Sequence, residues 1–294
     1  MAHAHVRARR HGGALGRALA VPLAVMIIEV AGGIMGHSMA LLSDAGHQTT
    51  DVLTAAMALF AERKGADSPT ARQSYGFQRV GILVATLNGL LLIVVAAMVV
   101  VGAVPRLDHP GPVTPGVMAA VAVIGILLQI WVATGLRQGG RDLNRRAVLI
   151  HVLTDMAASL AVLVGAGVIA LTGFTLLDPL LSLAIAVLIV LGSYRILRAA
   201  VGILMESVPA HLDPETVRSA LLQEEGVRDL HDLHIWSLGE DQVLLTCHIF
   251  IDDMTVGESQ TLIETLSRRL EKTFGIQHAT FQMESKDRCL LSDI

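Results

Sequence analysis

Two pairs of histidine and aspartate, each with four-residue spacing, are the residues of this sequence best suited to chemistry. His47 and Asp51 form one pair, and His151 and Asp155 form the other, far along the chain. Side chains four positions apart lie on one face of an α-helix, so each pair can present an imidazole and a carboxylate together. Two facing pairs make a tetrahedral site with two nitrogen and two oxygen ligands, which suits Zn²⁺.

The charge of this ligand set also favours a divalent cation. Two ionised carboxylates neutralise a dication, whereas an uncompensated charge in hydrocarbon costs at least about 2.5–3.5 kcal/mol. Softer metals prefer thiolates, and Mg²⁺ or Ca²⁺ prefer cages made of oxygen alone. A single histidine or aspartate in a membrane helix is often only an interhelical hydrogen bond, but packing does not readily explain a repeated pair. Asp44, three positions before His47 on roughly the same face, is a candidate accessory ligand.

The segments that carry these pairs are apolar enough to lie in a membrane. Hydrophobic residues make up 53% of the 294-residue chain and charged residues 16%, whereas an ordinary soluble domain has about 25% charged residues. Such a chain cannot bury its apolar side chains in a water-soluble globule, so we expect a multi-span membrane protein. Six stretches approach the length of about 20 residues that a helix needs to cross the bilayer: residues 14–36, 39–61, 78–104, 115–136, 146–171 and 178–200.

The basic residues predict the orientation of these spans. With the N-terminus inside, 14 lysines and arginines of the membrane region fall on the cytoplasmic side, and only Arg106 falls outside. An excess of this kind marks cytoplasmic loops. We therefore expect both termini to be cytoplasmic, in a multi-pass protein of the plasma (inner) membrane.

The composition also excludes other classes of protein. A net charge of −4 argues against a nucleic-acid partner. Two cysteines, Cys247 and Cys289, without a CxxC pair exclude a disulfide framework and a zinc finger built from cysteine.

The last part of the chain alternates charged and apolar residues like a soluble domain. Asp213 followed by Pro214 predicts the start of a helix that ends near Glu225. Alternating segments predict strands, and a segment with apolar residues at helical spacing predicts a second helix. The order is αββαβ, with helices on one face of a small sheet: a helix at 214–225, strands at 227–237 and 242–252, a helix at 256–274 and a strand at 278–284.

Four segments of the chain resemble the cation diffusion facilitator family. They read SDAGHQTTD, HVLTDMAASL, SYGFQRVGILVATLNGLLL and HDLHIWSLG, and the resemblance extends over about residues 14–286. The two His-Asp pairs resemble the zinc-transporting branch. The resemblance implies a six-helix transmembrane domain and a small α+β cytoplasmic domain of ferredoxin or metallochaperone-like fold. It also implies a homodimer that exports a divalent metal in exchange for protons through His47, Asp51, His151 and Asp155.

The resemblance also implies a metal site in the cytoplasmic domain. His231, His248 and Glu284 match positions that bind metal in relatives, and His234 and His278 are weaker candidates. Histidines on a solvated strand face are common without a metal, so that alternative stays open. A full two-metal cluster is doubtful, since the helix after Asp253 supplies no histidine.

The sequence thus predicts a proton-coupled exporter of zinc, with cadmium or cobalt as further cargo, that confers metal tolerance. A passive metal channel and an intramembrane metalloenzyme are alternatives, although no HExxH motif occurs and four protein ligands leave no position for water. The expected division is a flexible cytoplasmic tail at 1–13, a transport domain at 14–204, a cytoplasmic domain at 209–287 and a tail at 288–294.

Overall fold

The computed structural model of the chain describes residues 20–65, 67–137, 143–239 and 242–285. The expected tails at 1–13 and 288–294, and Cys289, lie outside the described residues. The chain divides into two units, which are Met1–Phe60 with Leu87–Ile196, and Ala61–Thr86 with Leu197–Ile294.

Six long helices occupy the described part of the predicted membrane region. A single-turn helix, α4, forms where Pro105 sits in its first turn, between the third and fourth long helices. The bounds are Ala20–Gly36 (α1), Met39–Gly65 (α2), Val80–Ala103 (α3), Pro105–Asp108 (α4), Pro115–Arg137 (α5), Leu143–Thr172 (α6) and Leu177–Leu204 (α7). These helices correspond to the six predicted spans.

Four of the long helices are, by length and composition, able to cross a membrane. They contain the segments Val80–Asp108, Pro115–Thr134, Leu149–Thr172 and Leu177–Leu204. The described part of α1 is apolar but shorter. Helix α2 carries ionisable side chains in the middle of its apolar stretch, which lowers its hydropathy. The helix that carries the first His-Asp pair therefore has ionisable side chains at positions where a membrane helix usually has apolar ones.

A buried apolar core joins the helices of the first unit. Leu41 of α2, Met118 of α5 and Val162 of α6 are among its fully buried side chains. Small residues allow the helices to approach closely, as in membrane proteins generally. A side chain at Gly165 of α6 would collide with Leu181 of α7. The core thus fixes α6 against its neighbours. It thereby orients the pair of His151 and Asp155 that α6 carries.

The C-terminal domain, which the sequence predicts to be cytoplasmic, has the predicted αββαβ order. The three strands lie in the order β1-β2-β3, with β1 antiparallel to β2 and β2 parallel to β3. The first helix ends three residues before its predicted end, and the last strand begins two residues before its predicted start. The bounds are Pro214–Leu222 (α8), Val227–Ser237 (β1), Val243–Ile251 (β2), Val256–Phe274 (α9) and Ile276–Glu284 (β3).

Residues at the ends of these elements explain where they begin and end. The side chain of Asp213 accepts a hydrogen bond from the backbone N–H of Thr216 and caps α8. Thr255 and Glu258 form a capping box at the start of α9. Gly275 ends α9 in the left-handed conformation, with φ of 70°.

One face of the sheet packs against both helices. Leu221 of α8, Leu266 and Leu270 of α9, and Leu245 and Ile249 of β2 are all buried in this core. Successive side chains of a strand point to opposite faces, so the residues between them in β2 face away from the helices. His248 is one of these residues, which places the predicted cytoplasmic ligands on the face that the helices leave free.

Candidate metal sites

Helices α2 and α6 bring the two predicted His-Asp pairs together. His47 Nε2 lies 3.6 Å from Asp51 Oδ2 and 3.9 Å from Asp155 Oδ1. His151 Nε2 lies 3.6 Å from Asp51 Oδ2 and 3.6 Å from Asp155 Oδ2. Each imidazole therefore faces the carboxylate of its own helix and that of the other helix. The four side chains form one cluster, which we call the membrane cluster.

The spacing of the ligand atoms fits a tetrahedral zinc ion after a small contraction. Zinc at its usual bond length of about 2.0–2.1 Å places neighbouring ligand atoms about 3.3 Å apart. Asp51 Oδ2 and Asp155 Oδ1, two of the atoms that face this cluster, are buried and have no hydrogen-bond partner among the described residues. Buried polar atoms are normally satisfied, so unpartnered atoms around one point indicate a ligand that would satisfy them.

The members of the membrane cluster differ in exposure. Asp155 is nearly buried, His47 and Asp51 are partly buried, and the side chain of His151 is 51% exposed. The ligand atoms of His47, Asp51 and Asp155 all lie within 4.8 Å of one another. The ring of His151 stands edge-on to that of His47, with centroids 6.4 Å apart. His151 is thus the ligand with the most room to move towards or away from the other three.

Asp44, the accessory candidate, is buried. It is not in the sets of close ligand atoms found among the described residues. Glu29 of α1 is also buried, as is Gln129 of α5. The structure therefore groups Asp44 with other buried polar side chains of the membrane unit.

A carboxylate of α7 that the sequence analysis did not single out holds the start of α2. Asp178 is fully buried and accepts hydrogen bonds from Ser38 Oγ, Met39 N at 2.7 Å and Ala40 N at 3.2 Å. These N–H groups have no partner within their own helix, and a negative charge at a helix N-terminus is favourable. The sequence shows that Asp178 lies in the first turn of a predicted membrane helix. It does not show the partner of Asp178, because the start of α2 is 139 positions away.

The predicted cytoplasmic ligands also lie together, on the free face of the sheet. His231 and His248 are register partners on β1 and β2, and Glu284 ends β3. Glu284 Oε2 lies 3.1 Å from His231 Nε2, and Glu284 Oε1 lies 2.9 Å from His248 Nδ1. The ligand atoms of the three lie within 4.8 Å of one another. We call this set the cytoplasmic cluster.

Neighbouring groups hold the cytoplasmic cluster in place. Gln282 Nε2 donates to Glu284 Oε1 at 2.7 Å, and the ring of His231 stacks on Phe250 at 5.0 Å. Partial burial acts to raise the pKa of Glu284, but the hydrogen bonds of His231 and Gln282 and the adjacent His248 outweigh it and lower that pKa. Glu284 is therefore ionised at neutral pH, as a carboxylate ligand must be.

The two weaker candidates lie outside this cluster. His234 Nε2 pairs at 2.7 Å with Asp232, a residue that the sequence analysis missed. Asp232 Oδ2 also lies 3.6 Å from His248 Nε2, and its φ of 51° turns it towards both histidines at an irregularity of β1. His278 instead meets the ring of Tyr75 edge-on, at 6.2 Å.

Cys247 of β2 is buried in the helix-facing core of the domain. Burial, together with the charge of Asp232, raises the pKa of its thiol to about 12. The thiolate needed for metal binding is therefore scarce at neutral pH, and the cytoplasmic cluster is made of imidazole and carboxylate groups.

Comparison with known protein families identifies both parts of the chain. Residues 16–205 match the cation efflux transmembrane domain, and residues 209–286 match the cytoplasmic domain of cation efflux proteins. The chain belongs to the cation efflux family. This membership confirms the resemblance to zinc-transporting cation diffusion facilitators that the sequence motifs indicated. It also confirms the predicted class, a helical transmembrane domain followed by a small α+β domain.

Several transporters are similar to this cation efflux protein over most of their length. The "Cadmium, cobalt and zinc/H(+)-K(+) antiporter" of Bacillus subtilis is 34% identical over 89% of this chain and 85% of its own. The "Zinc transporter ZitB" of Escherichia coli is 34% identical over 97% of this chain and 93% of its own. This cation efflux protein is accordingly an integral membrane transporter of metal cations.

The solved structures similar to this cation efflux protein include the metal-bound C-terminal domain of the CzcD transporter from Cupriavidus metallidurans, which is 37% identical. The match covers 25% of this chain and 99% of that one, with a TM-score of 0.23.

Proposed function

We propose that this cation efflux protein exports Zn²⁺ from the cytoplasm in exchange for protons. The observation that carries the proposal is the membrane cluster, in which two imidazoles and two carboxylates converge at 3.6–3.9 Å inside an apolar helical unit. His47, Asp51, His151 and Asp155 are its proposed transport ligands. Two carboxylates cancel the charge of the dication, which removes the main cost of placing it in a membrane.

Proton exchange follows from the chemistry of the same four side chains. A metal ion needs neutral imidazole and ionised carboxylate, so its binding expels protons from these groups. Protons arriving from the other side compete for the same atoms and release the metal. Imidazole titrates near neutral pH, where a physiological proton gradient acts. Helices that expose the cluster to each side in turn would complete the cycle.

Cadmium and cobalt are proposed as further cargo. A tetrahedral site of two nitrogens and two oxygens accepts several divalent metals of similar size. The name of the Bacillus subtilis relative includes all three metals. Export of such ions would protect a cell from metal excess, and metal tolerance is therefore part of the proposal.

The cytoplasmic domain is proposed to bind Zn²⁺ as well. His231, His248 and Glu284 offer two nitrogens and a carboxylate that is ionised at neutral pH, which is a zinc-binding set. The proposed assembly is a homodimer in the plasma (inner) membrane, as the family resemblance implies. Both termini are proposed to lie in the cytoplasm, as the distribution of basic residues predicts. The proposed domain division is 14–204 for transport and 209–287 for the cytoplasmic domain.

Transport by the purified protein in liposomes tests the proposal directly. The full chain is reconstituted, and Zn²⁺ movement and internal pH are followed with two fluorescent indicators, with and without an imposed proton gradient. We expect Zn²⁺ flux that rises with the gradient and an opposite flux of protons. The variant His47→Ala with His151→Ala should reduce both fluxes to the background of empty liposomes.

Two comparisons make the result specific. His109→Ala, an exposed histidine in the loop before α5, should transport as the wild type does. Zinc flux that ignores the proton gradient would indicate a passive channel. Full-rate transport by the double variant would overturn the assignment of the membrane cluster as the transport site.

A further inference from the structure

The two ring nitrogens of His248 face two different carboxylates. Nδ1 lies 2.9 Å from Glu284 Oε1, within the cytoplasmic cluster. Nε2 lies 3.6 Å from Asp232 Oδ2, on the other side of the ring. The side chain of His248 is only 13% exposed, so both contacts are largely screened from water. The cytoplasmic cluster accounts for the first contact and leaves Asp232 without a role.

The Nδ1 atom is the nitrogen of this ring that is ready for a metal ion. It is buried and has no hydrogen-bond partner in the part of the chain that the structure describes. Buried polar atoms are normally satisfied, so an unpartnered ring nitrogen beside an ionised carboxylate indicates a cation that both would bind. A neutral imidazole has one free nitrogen and one N–H group. If Nδ1 of His248 is the free nitrogen, Nε2 carries the hydrogen.

An irregularity of β1 places Asp232 on the face of the cluster. Side chains of a regular strand alternate between the two faces of a sheet, so His231 and Asp232 would point in opposite directions. Between the register pairs His231–His248 and His234–Thr246, however, β1 advances by three residues while β2 advances by two. A bulge of this kind changes the direction of a side chain. It brings the carboxylate of Asp232 to the ring of His248.

The backbone and a second histidine hold this carboxylate in place. Asp232 has a φ of 51°, a left-handed conformation that is uncommon for residues other than glycine. Its Oδ1 is in hydrogen-bond contact with Nε2 of the exposed His234 at 2.7 Å, while Oδ2 faces His248. A sparsely populated backbone conformation that surrounding contacts maintain is typical of functional positions.

We propose that Asp232 is the positioning carboxylate of the cytoplasmic cluster: it accepts the Nε2–H of His248 and thereby directs Nδ1 of that ring to the metal. The separation of 3.6 Å is within ion-pair range, and a hydrogen bond requires an approach of about 0.7 Å. Histidines that bind metal usually donate their other nitrogen to such a group, which fixes the ring and strengthens it as a ligand. The proposal deepens the proposed function, since it rests on the zinc site proposed for the cytoplasmic domain.

Zinc binding to variants of Asp232 tests the positioning role. The parent protein is the full chain with His47→Ala and His151→Ala, so that isothermal titration reports the cytoplasmic site. Asp232→Gly and Asp232→Asn should each lower the Zn²⁺ affinity of that site by about 10–100-fold. Glycine adopts the left-handed conformation without strain. The metal-free Asp232→Gly protein should therefore unfold at the temperature of its parent or above it, which separates lost affinity from lost folding.

Two further variants make the titration specific. Asp229→Asn is the matched control, since Asp229 is a carboxylate of the same strand that pairs with Arg218 at 3.0 Å. It should bind Zn²⁺ as the parent does. His234→Ala should lower the affinity less than Asp232→Gly, because His234 acts on the metal through Asp232. A larger loss would make His234 a ligand in its own right and overturn the assignment.

Nuclear magnetic resonance of labelled histidine in the metal-loaded parent protein gives a readout that a purely structural role would not produce. We expect His248 to bind metal through Nδ1 and to keep a hydrogen on Nε2. In Asp232→Gly, that hydrogen should exchange faster with water. Metal bound to Nε2 while Asp232 is intact would make Asp232 a neighbouring ligand and overturn the proposal, however well the variants fold.

Glu284→Gln separates this proposal from the one on which it rests. If Glu284→Gln weakens Zn²⁺ binding and neither variant of Asp232 does, the positioning role is overturned and the cytoplasmic zinc site stands. If Glu284→Gln and both variants of Asp232 all bind Zn²⁺ as the parent does, the zinc site is overturned, and the positioning role with it.

Discussion

The membrane cluster and the cytoplasmic cluster use the same kinds of side chain in different ways. In the membrane cluster, two helices each supply an imidazole and a carboxylate, the facing nitrogen and oxygen atoms stand 3.6–3.9 Å apart, and two buried carboxylate oxygens have no described hydrogen-bond partner. In the cytoplasmic cluster, three strands supply the groups, and His231 Nε2 and Glu284 Oε2 are hydrogen-bonded at 3.1 Å. His248 Nδ1 lies 2.9 Å from Glu284 Oε1 but is buried without a hydrogen-bond partner among the described residues. There Gln282 also donates to the carboxylate.

This difference indicates how each cluster would treat a cation. Unpartnered ligands gain contacts when an ion or proton arrives and can exchange one for the other. In the cytoplasmic cluster, a cation must displace the hydrogen bond between His231 and Glu284, and the contacts of Gln282 and Phe250 fix the geometry for one occupant. We therefore interpret the membrane cluster as a site for turnover and the cytoplasmic cluster as a site for a resident ion.

The largest expected effect separates the two clusters by transport. Asp155→Asn removes a ligand and a compensating charge from the membrane cluster, so zinc flux in liposomes should fall to the background of empty vesicles. Glu284→Gln changes the cytoplasmic cluster in the same chemical way and should leave flux measurable at high Zn²⁺. Loss of flux in both variants would contradict the proposal that only the membrane cluster is required for transport.

Equilibrium metal binding sharpens the comparison from the cytoplasmic side. Glu284→Gln should lower the Zn²⁺ affinity of one site in the full chain by at least about tenfold, since even the supporting groups of metal sites typically contribute 10–100-fold. Isothermal titration measures this change. Glu271→Gln, an exposed carboxylate of α9, is the control and should bind Zn²⁺ as the wild type does. Equal affinities in all three proteins would argue against a cytoplasmic metal site.

A smaller effect concerns the support of the helix that carries the first pair. Asp178→Asn should lower the free energy of unfolding of the membrane unit by about 1.5–3 kcal/mol, the typical value of a hydrogen bond to a charged group. A thermal unfolding assay in detergent measures the loss. Asp108→Asn, an exposed aspartate of α4, should unfold like the wild type. An unchanged unfolding temperature for Asp178→Asn would show that α2 does not depend on this contact.

The smallest effect concerns the cytoplasmic domain, whose helices are supported by exposed caps. Thr255→Ala should destabilise α9 by about 1 kcal/mol. Hydrogen bonds from the backbone and side chain of Thr255 lower the pKa of Glu258. The capping box is therefore intact at neutral pH and is lost as the pH falls through that lowered value. The difference between Thr255→Ala and wild type in thermal unfolding should shrink in acid, and a difference that grows would contradict this account.

Local sequence patterns predicted the elements and the composition of the membrane cluster, whereas the ligand set of the cytoplasmic cluster was implied by the family resemblance. The spacing of His47 and Asp51 places them on one helix face because an α-helix repeats every 3.6 residues. Alternation in the last part of the chain predicted three strands, and Asp213 with Pro214 predicted a helix start that the structure places within one residue. These patterns depend only on residues a few positions apart, so they can be recognised without knowledge of the tertiary structure.

Packing of the whole chain decided which side chains meet. The distances that close the membrane cluster join residues of two helices, and Asp178 reaches the start of α2 across 139 positions. The contacts of Asp232 with His234 and His248 likewise depend on how β1 and β2 pair. A sequence pattern specifies the direction of a side chain only relative to its own helix or strand. The partner it finds depends on how these elements pack, because burial of apolar surface, and not any local signal, sets their arrangement.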